Sequence, residues 1–252
     1  MTKITGHRGA RNLWPENSLT GFRNVLALEI DAVEFDVHLT NSGELVVIHD
    51  ATLDRTTDKT GSVRALTPEL RGETHLEGSD DTVPTLADVL SVLVTGGDKQ
   101  LHVEIKSDEE GRPYPGIVEK VAAEIEGFGL AARCHLTSFD VPLLEECRRV
   151  APYIARLVSV NAEWAAKQGG LQAFLERVDS LVDIVAIHHE LMAAEWPLIR
   201  QKLPLERLCA WTLNDETLIR AWLKRGIGHL TSDSPDLALR LRSEIRSQFE
   251  PA

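Results

Sequence analysis

Two carboxylates set two residues apart are the first chemical feature of this chain. In Ala32-Val-Glu-Phe-Asp-Val-His38, Glu34 and Asp36 occupy positions i and i+2, and side chains at that spacing leave the same face of a strand. Burying two anions side by side is costly unless a cation neutralises them. Taken alone, such a pair reads slightly better as surface acids at a strand end. His102-Val-Glu-Ile-Lys106 changes that balance, because Glu104 and Lys106 repeat the spacing on another strand. Three carboxylates from neighbouring strands form a hard, oxygen-rich site suited to Mg²⁺ or Ca²⁺. Lys106 then offers a fixed positive charge to a substrate anion, with a simple ion pair to one of the acids as the plainer alternative.

Histidines close two further strands. His7-Arg8-Gly9 ends the first, and His49-Asp50 ends the one that follows the Asn41-Ser42-Gly43 turn. Imidazole titrates near neutral pH, so a pair can serve as general base and general acid. Arg8 can donate two planar hydrogen bonds to a phosphate, and Gly9 lets the backbone approach closely. One such histidine would more often be structural. Two at strand ends, beside a carboxylate cluster, favour catalysis.

These residues need strands to carry them, and the chain supplies eight. Expected strands are Lys3–His7, Ala32–Leu39, Leu101–Lys106, Arg133–Thr137, Ile154–Val160, Asp183–His188, Leu208–Leu213 and Gly228–Ser232. Amphipathic stretches lie between them at Ser18–Leu28, Leu86–Val94, Ile117–Ile125, Pro142–Val150 and Leu218–Lys224. Leu86, Val89, Leu90 and Leu93 fall at i, i+3, i+4 and i+7, which makes one apolar helical stripe. Ser18 and Thr85 stand where helix caps are needed. Eight strand-then-helix units close a TIM (β/α)₈ barrel, and no Gly-x-Gly-x-x-Gly follows the first strand to suggest an open doubly wound sheet.

One segment interrupts the alternation. After an extra strand at Glu44–His49, residues 50–84 are polar, rich in Thr, Gly and Asp, and weakly periodic. That is too long for an ordinary connection, so it is expected to fold as a small insertion over the C-terminal face of the barrel. No Pro-, Gly- or Ser-rich linker divides the 252 residues, and a single domain over 1–252 is expected.

Composition narrows the partners. A net charge of −12 disfavours nucleic acid and anionic membrane, and leaves a small anionic ligand only where a local cation overrides the field. Arg240, Arg242 and Arg246 alternate with acids and read as a solvated helix face. Cys134, Cys147 and Cys209 lack the pairing and spacing of a disulfide framework or thiolate zinc site. With no apolar leader and no membrane-length apolar run, a cytoplasmic protein without stable membrane association is expected, and self-association stays open.

Set in order, the motifs His7-Arg8-Gly9, Pro15-Glu16-Asn17-Ser18, Glu34-Phe-Asp36-Val, Val46-Val-Ile-His49-Asp50, Leu53-Asp-Arg55-Thr-Thr57, Val103-Glu-Ile-Lys106, Ser138-Phe139, Trp211-Thr-Leu-Asn214 and Thr231-Ser-Asp233 resemble the glycerophosphodiester phosphodiesterases along nearly the whole chain. The resemblance implies a TIM barrel with one divalent ion held by Glu34, Asp36 and Glu104. It implies His7 and His49 as the acid/base pair and Arg8 and Lys106 on the phosphate. Glu16 and Asn17 would support the site from behind, and Trp211 would line its wall. The substrate would be a small glycerophosphodiester, cleaved to glycerol 3-phosphate and an alcohol. The last strand, Gly226-Ile-Gly-His-Leu-Thr-Ser-Asp233, departs from the more usual Gly-x-Asp-Gly-Ile, and His38 stands where other polar residues are common.

Two other readings compete. One is phospholipase D action on lysolipids or sphingomyelin. Against it stand the lack of the export signal and disulfides of secreted forms, and an acidic composition that does not suggest an apolar or basic lip. The other is a silent metal- or phosphate-binding barrel, which should have lost one of His7, Glu34, Asp36, His49 or Glu104. The remaining polar and aromatic residues read plainly: His188-His189-Glu190 as a strand end whose neighbours face opposite ways, His135 as a satisfied core histidine, and Trp164, Trp196 and Trp222 as helix packing.

Overall fold

The computed structural model describes residues 1–248. Eight strands run parallel and close on themselves: β1 (Lys3–Gly6), β2 (Ala32–Leu39), β4 (Gln100–Ile105), β5 (Cys134–Ser138), β6 (Ala155–Val160), β7 (Ile184–His188), β8 (Leu208–Trp211) and β9 (His229–Ser232). β9 pairs with β1, and β1 with β2, so the sheet has no open edge along this circuit. This is the expected TIM barrel, with helices between the strands. The extra strand β3 (Leu45–Val47) is shorter than expected and lies antiparallel on β2. No described helix is long and apolar enough to cross a membrane.

Each β2 residue is buried, on both faces, as a barrel strand must be when helices cover its outside. Val33, Phe35 and Val37 join the outer core, where Phe35 meets Phe22 edge-on at 5.7 Å between ring centres. Glu34, Asp36 and His38 alternate with them and turn inward. The covering helices start where cap chemistry says they should. Ser18 Oγ accepts from Gly21 N at 2.8 Å, and Thr85 and Asp88 form a complete capping box on Leu86–Leu93.

The barrel interior is uneven. Leu157, Ile184, Ala186 and Cys209 fill the side built by β6 to β8, with Trp211 packed against them. The side built by β1, β2, β4 and β5 is polar from top to floor. Near the floor lie His102, His135 and His229, the first two with ring centres 5.2 Å apart. His135 corrects its expected reading: it belongs to the interior, yet its buried Nδ1 has no hydrogen-bond partner. At the same end the chain passes too close for any side chain at Gly228, where a Cβ would come within 2.3 Å of the Glu206 carbonyl oxygen.

Residues 48–84 form a lobe with an apolar core of its own, made by Ile48, Leu53, Val63, Leu66, Leu76 and Val83 together with Val46. Short bridges Thr52↔Ser62, Thr57↔Leu76 and His75↔Thr82 staple it. The C-terminal helix, Pro235–Ser247, corrects a second expectation. Arg242 is not solvated: it donates to Asp31 at 2.6 Å and to the Thr2 carbonyl at 3.0 Å, tying this helix to the first strand. Arg240 keeps the expected exposed pairing with Glu244.

Burial holds His229 down to about 4, with Lys3 and His135 adding to the effect. Its folded pKa therefore lies below the unfolded value of about 6.5. The unfolded chain takes up the proton first, so stability is fully present above pH 6.5 and is lost as pH falls towards 4. Denaturant unfolding at pH 6.5 and pH 4 should show a loss of roughly 3 kcal/mol from this residue. His229→Asn should flatten that slope, and an identical slope in the variant would refute the account.

Candidate active site

The C-terminal ends of β1, β2 and β4 bring the inward-facing acids together. Parallel register sets Asp36 opposite Glu104 and Glu34 opposite His102, so the i, i+2 pairs of two strands interlock. One oxygen from each of Glu34, Asp36 and Glu104 lies within 4.8 Å of the others. Lys106 Nζ reaches Asp36 Oδ1 at 2.8 Å and Glu104 Oε1 at 2.5 Å. Lys106 thus forms the ion pair of its plainer reading, and it also lines the cavity above the acids.

The loop after β1 is shaped to bring a second cation in. Arg8 (φ 51), Gly9 (φ 75) and Ala10 (φ 71) are all left-handed, an arrangement that non-glycine residues adopt only when the surroundings hold them there. It turns the Arg8 amide onto Glu34 Oε2 at 3.0 Å and sends the guanidinium to Glu16 Oε1 at 3.1 Å and towards Asp36 Oδ2 at 3.5 Å. Asn17, also left-handed (φ 55), donates to Asp36 Oδ2 at 2.9 Å.

Electrostatics separates the two buried acids of β2. Burial pushes the Glu34 carboxyl well above the ordinary range, and repulsion from Asp36 and Glu104 adds to it. Burial acts on Asp36 in the same direction, but Lys106, His49 and Arg8 outweigh it and hold that carboxylate ionised. Even so, Glu34 Oε1 is buried without a partner, and Asp36 Oδ1 meets the Lys106 ammonium without hydrogen-bond alignment. Orphaned carboxylate oxygens converging in this way fit a small divalent cation with oxygen ligands.

Both histidines are held by their Nδ1 atoms. His7 Nδ1 lies 2.6 Å from Asp233 Oδ1, and its Nε2 is 3.7 Å from Glu34 Oε2. Asp233 is fixed in turn by Asn214 Nδ2 at 2.7 Å and Arg11 Nε at 2.8 Å. Burial raises the Asp233 carboxyl, but the bond to His7 and the charges of His7 and Arg11 bring it down to about 2. His49 Nδ1 lies 2.6 Å from Asp50 Oδ1. Burial lowers the His49 pKa, Lys106 and Arg8 lower it further, and Asp36 and Asp50 oppose them. His38 stands behind: Tyr114 Oη lies 2.8 Å from its Nδ1, and its Nε2 lies 3.1 Å from the His49 carbonyl oxygen. Burial keeps His38 at about 4, hence neutral.

His7, Arg8, Glu34, His49, Glu104, Lys106 and Trp211 line one cavity of about 170 Å³. Asp36 and Asn17 lie buried beneath it, and Glu16 flanks it through Arg8. A larger cavity of about 920 Å³ opens at the barrel floor between Lys3, His229 and Arg242, and holds none of the three clustered acids. Opposite the acids the smaller cavity is lined mainly by Leu157, Ala186, Phe139 and Trp211.

Some partners escaped sequence reasoning. Asp233 follows the last strand, 226 residues from His7, and only barrel closure sets them side by side. Arg11 and Phe139 reach the cavity with no distinguishing local spacing. Trp164 is more than helix packing, since its ring lies 5.8 Å from that of Phe139. His188 and His189 do not face opposite ways: β7 ends at His188 and a helix begins at His189, so the rings come to 4.6 Å, and His188 also meets Trp211 at 5.1 Å. Trp196 and Trp222 do pack together, at 5.3 Å.

Comparison with known proteins places this geometry in context. Residues 7–237 match the model of the Glycerophosphoryl diester phosphodiesterase family. A glycerophosphodiester phosphodiesterase of Bacillus altitudinis is 30% identical over 98% of this chain and 100% of its own length. A crystal structure from Agrobacterium tumefaciens, provisionally assigned as a glycerophosphoryl diester phosphodiesterase, superposes with a TM-score of 0.87 at 27% identity, covering 98% of this chain and 99% of its own. A phosphodiesterase of Oleispira antarctica, solved with its product sn-glycerol-3-phosphate, shares the fold at 24% identity with a TM-score of 0.77, covering 98% of this chain and 97% of its own.

If Glu34, Asp36 and Glu104 take a divalent ion, that ion binds the folded chain alone and stabilises it, by about 2.7 kcal/mol at a hundredfold excess over Kd. Melting temperature measured with and without Mg²⁺, Mn²⁺ or Ca²⁺ should rise for one of them. Glu34→Gln should abolish the rise, and a rise that survives in this variant would place the ion elsewhere.

Proposed function

We propose, from the premise that this chain belongs to the glycerophosphoryl diester phosphodiesterase family, that it hydrolyses small glycerophosphodiesters to glycerol 3-phosphate and an alcohol. The observation that carries the reading is the meeting of two carboxylate-held histidines, two cations and the three-acid cluster at one cavity. Fold alone would not support it.

Glu34, Asp36 and Glu104 would hold one divalent ion, which supplies Lewis-acid stabilisation of charge on phosphoryl oxygens. Arg8 and Lys106 bind and orient the diester anion. The Arg8 fork suits a pair of phosphate oxygens, while Lys106 acts as a point charge. The apolar wall of Phe139, Leu157 and Trp211 contacts carbon rather than charge and excludes water from that side.

With Nδ1 engaged, Nε2 is the nitrogen that works on each ring. Burial leaves His49 neutral at pH 7, ready to take the proton of the attacking hydroxyl. His7, oriented through Nδ1 by Asp233 at 2.6 Å, turns Nε2 to the departing alkoxide and delivers a proton to it as its P–O bond breaks. The attacking group is water, or the neighbouring glycerol hydroxyl with a cyclic phosphate formed first. Both routes use the same pair.

Metal-stripped protein given glycerophosphocholine, glycerophosphoethanolamine or glycerophosphoinositol should become active on adding back one of Mg²⁺, Mn²⁺ or Ca²⁺. His7→Ala and His49→Ala should each lower kcat by ~10²-fold or more with the fold intact. Wild-type turnover in both variants would overturn the assignment. Silence of the wild type on all three diesters would move the reading to another diester or to a binding-only barrel.

A further inference from the structure

Two segments of the site, the loop after β1 and the start of the lobe, are joined by a guanidinium that lies outside the cavity lining. Arg55 donates from Nε and Nη2 to Asp50, at 2.7 and 2.9 Å, and from Nη1 and Nη2 to Glu16, at 3.0 and 2.8 Å. The oxygens it meets already have other work. Asp50 Oδ1 also holds His49 Nδ1 at 2.6 Å, and Glu16 Oε1 also accepts from Arg8 Nη1 at 3.1 Å. The single nitrogen Nη2 therefore touches the carboxylate oxygen behind the histidine and the one behind the phosphate-binding arginine.

An exposed ion pair usually contributes little, and the Arg55 side chain is 45% exposed. Its plain role would be to fasten the lobe to the barrel. The lobe has other means of attachment. It has its own apolar core and bridges, and Arg64 ties it to Asp108 and Asn41 while Arg71 ties it to Glu44. Arg55 is instead spent wholly on the two carboxylates that orient His49 and Arg8, and its bonds lead the causes that keep Asp50 ionised.

We propose that Arg55 is a positioning residue for the diester reaction, setting the His49 ring and the Arg8 guanidinium in register through Asp50 and Glu16. The inference rests on the acid/base reading above. Without the fork, Asp50 can turn about its side-chain bonds and the ring it holds turns with it, and small misplacements of a reacting group lose rate steeply. A lysine keeps the charge but cannot span both carboxylates in one plane.

The test is a double-mutant cycle in the full chain with its activating ion, using bis(4-nitrophenyl) phosphate so that slow variants stay measurable. Arg55→Met and Arg55→Lys should each lower kcat by roughly 10- to 100-fold. KM should rise severalfold through Arg8, and the melting temperature should change little. In a His49→Ala background the kcat loss should shrink to less than about threefold, because the path to His49 is gone, while the KM effect persists. An equal kcat loss in both backgrounds, or wild-type kcat in Arg55→Lys, overturns the inference while leaving the acid/base reading in place. Full activity in His49→Ala alone also overturns this inference, while the acid/base reading falls with it only if His7→Ala is fully active as well.

Discussion

The organisation of the site follows from the cost of holding Glu34, Asp36 and Glu104 together inside a protein. Like charges so close in a poorly polarisable interior repel strongly, and each also forfeits its hydration. The chain meets this with cations on the same scaffold. Lys106 sits two residues beyond Glu104, and Arg8 arrives on a left-handed turn whose amide also donates to Glu34. The compensation stays incomplete, since Glu34 Oε1 has no hydrogen-bond partner and Asp36 Oδ1 meets Lys106 as an ion pair without hydrogen-bond alignment.

The uneven barrel interior is the other half of the same solution. Apolar packing between β6 and β8 supplies ordinary burial, while the half carrying Thr5, the acids and the floor histidines contributes little of that kind and leaves Thr5 Oγ1 and His135 Nδ1 unsatisfied. Stability is thus drawn mainly from the outer layer, where Phe22, Phe35 and the covering helices pack. This division frees one side of the interior for chemistry. It also exposes the apolar wall of Leu157, Ala186 and Trp211 opposite the charged groups, so the cavity has one polar and one apolar surface.

What the chain revealed in advance divides along physical lines. Period-2 spacing is local, so the two acid-bearing strands, their inward faces and the cap residues Ser18 and Thr85 could all be read from neighbours in sequence. Strand ends moved by a residue where turn geometry intervened, as at His7, which lies in a short helical turn rather than in β1. Relations created by closure left no local mark. Asp233 behind His7, Arg242 against Asp31 and the close rings of His188 and His189 all depend on where distant segments arrive, or on a strand giving way to a helix. Arg55 was visible only as part of a motif, because its role comes from two carboxylates, one of them 39 positions away.

The two histidines reach similar environments by different routes, and the difference has consequences. His7 depends on a carboxylate delivered by the last strand, so its orientation is tied to the closed barrel and to Asn214 and Arg11 around Asp233. His49 depends on its neighbour Asp50, at the root of a lobe with a separate core. A change in the barrel therefore acts first on His7, whereas a change in the lobe acts first on His49. Because loops on this face tolerate variation that the barrel does not, the lobe can change the setting of His49 by a route separate from the one that holds His7.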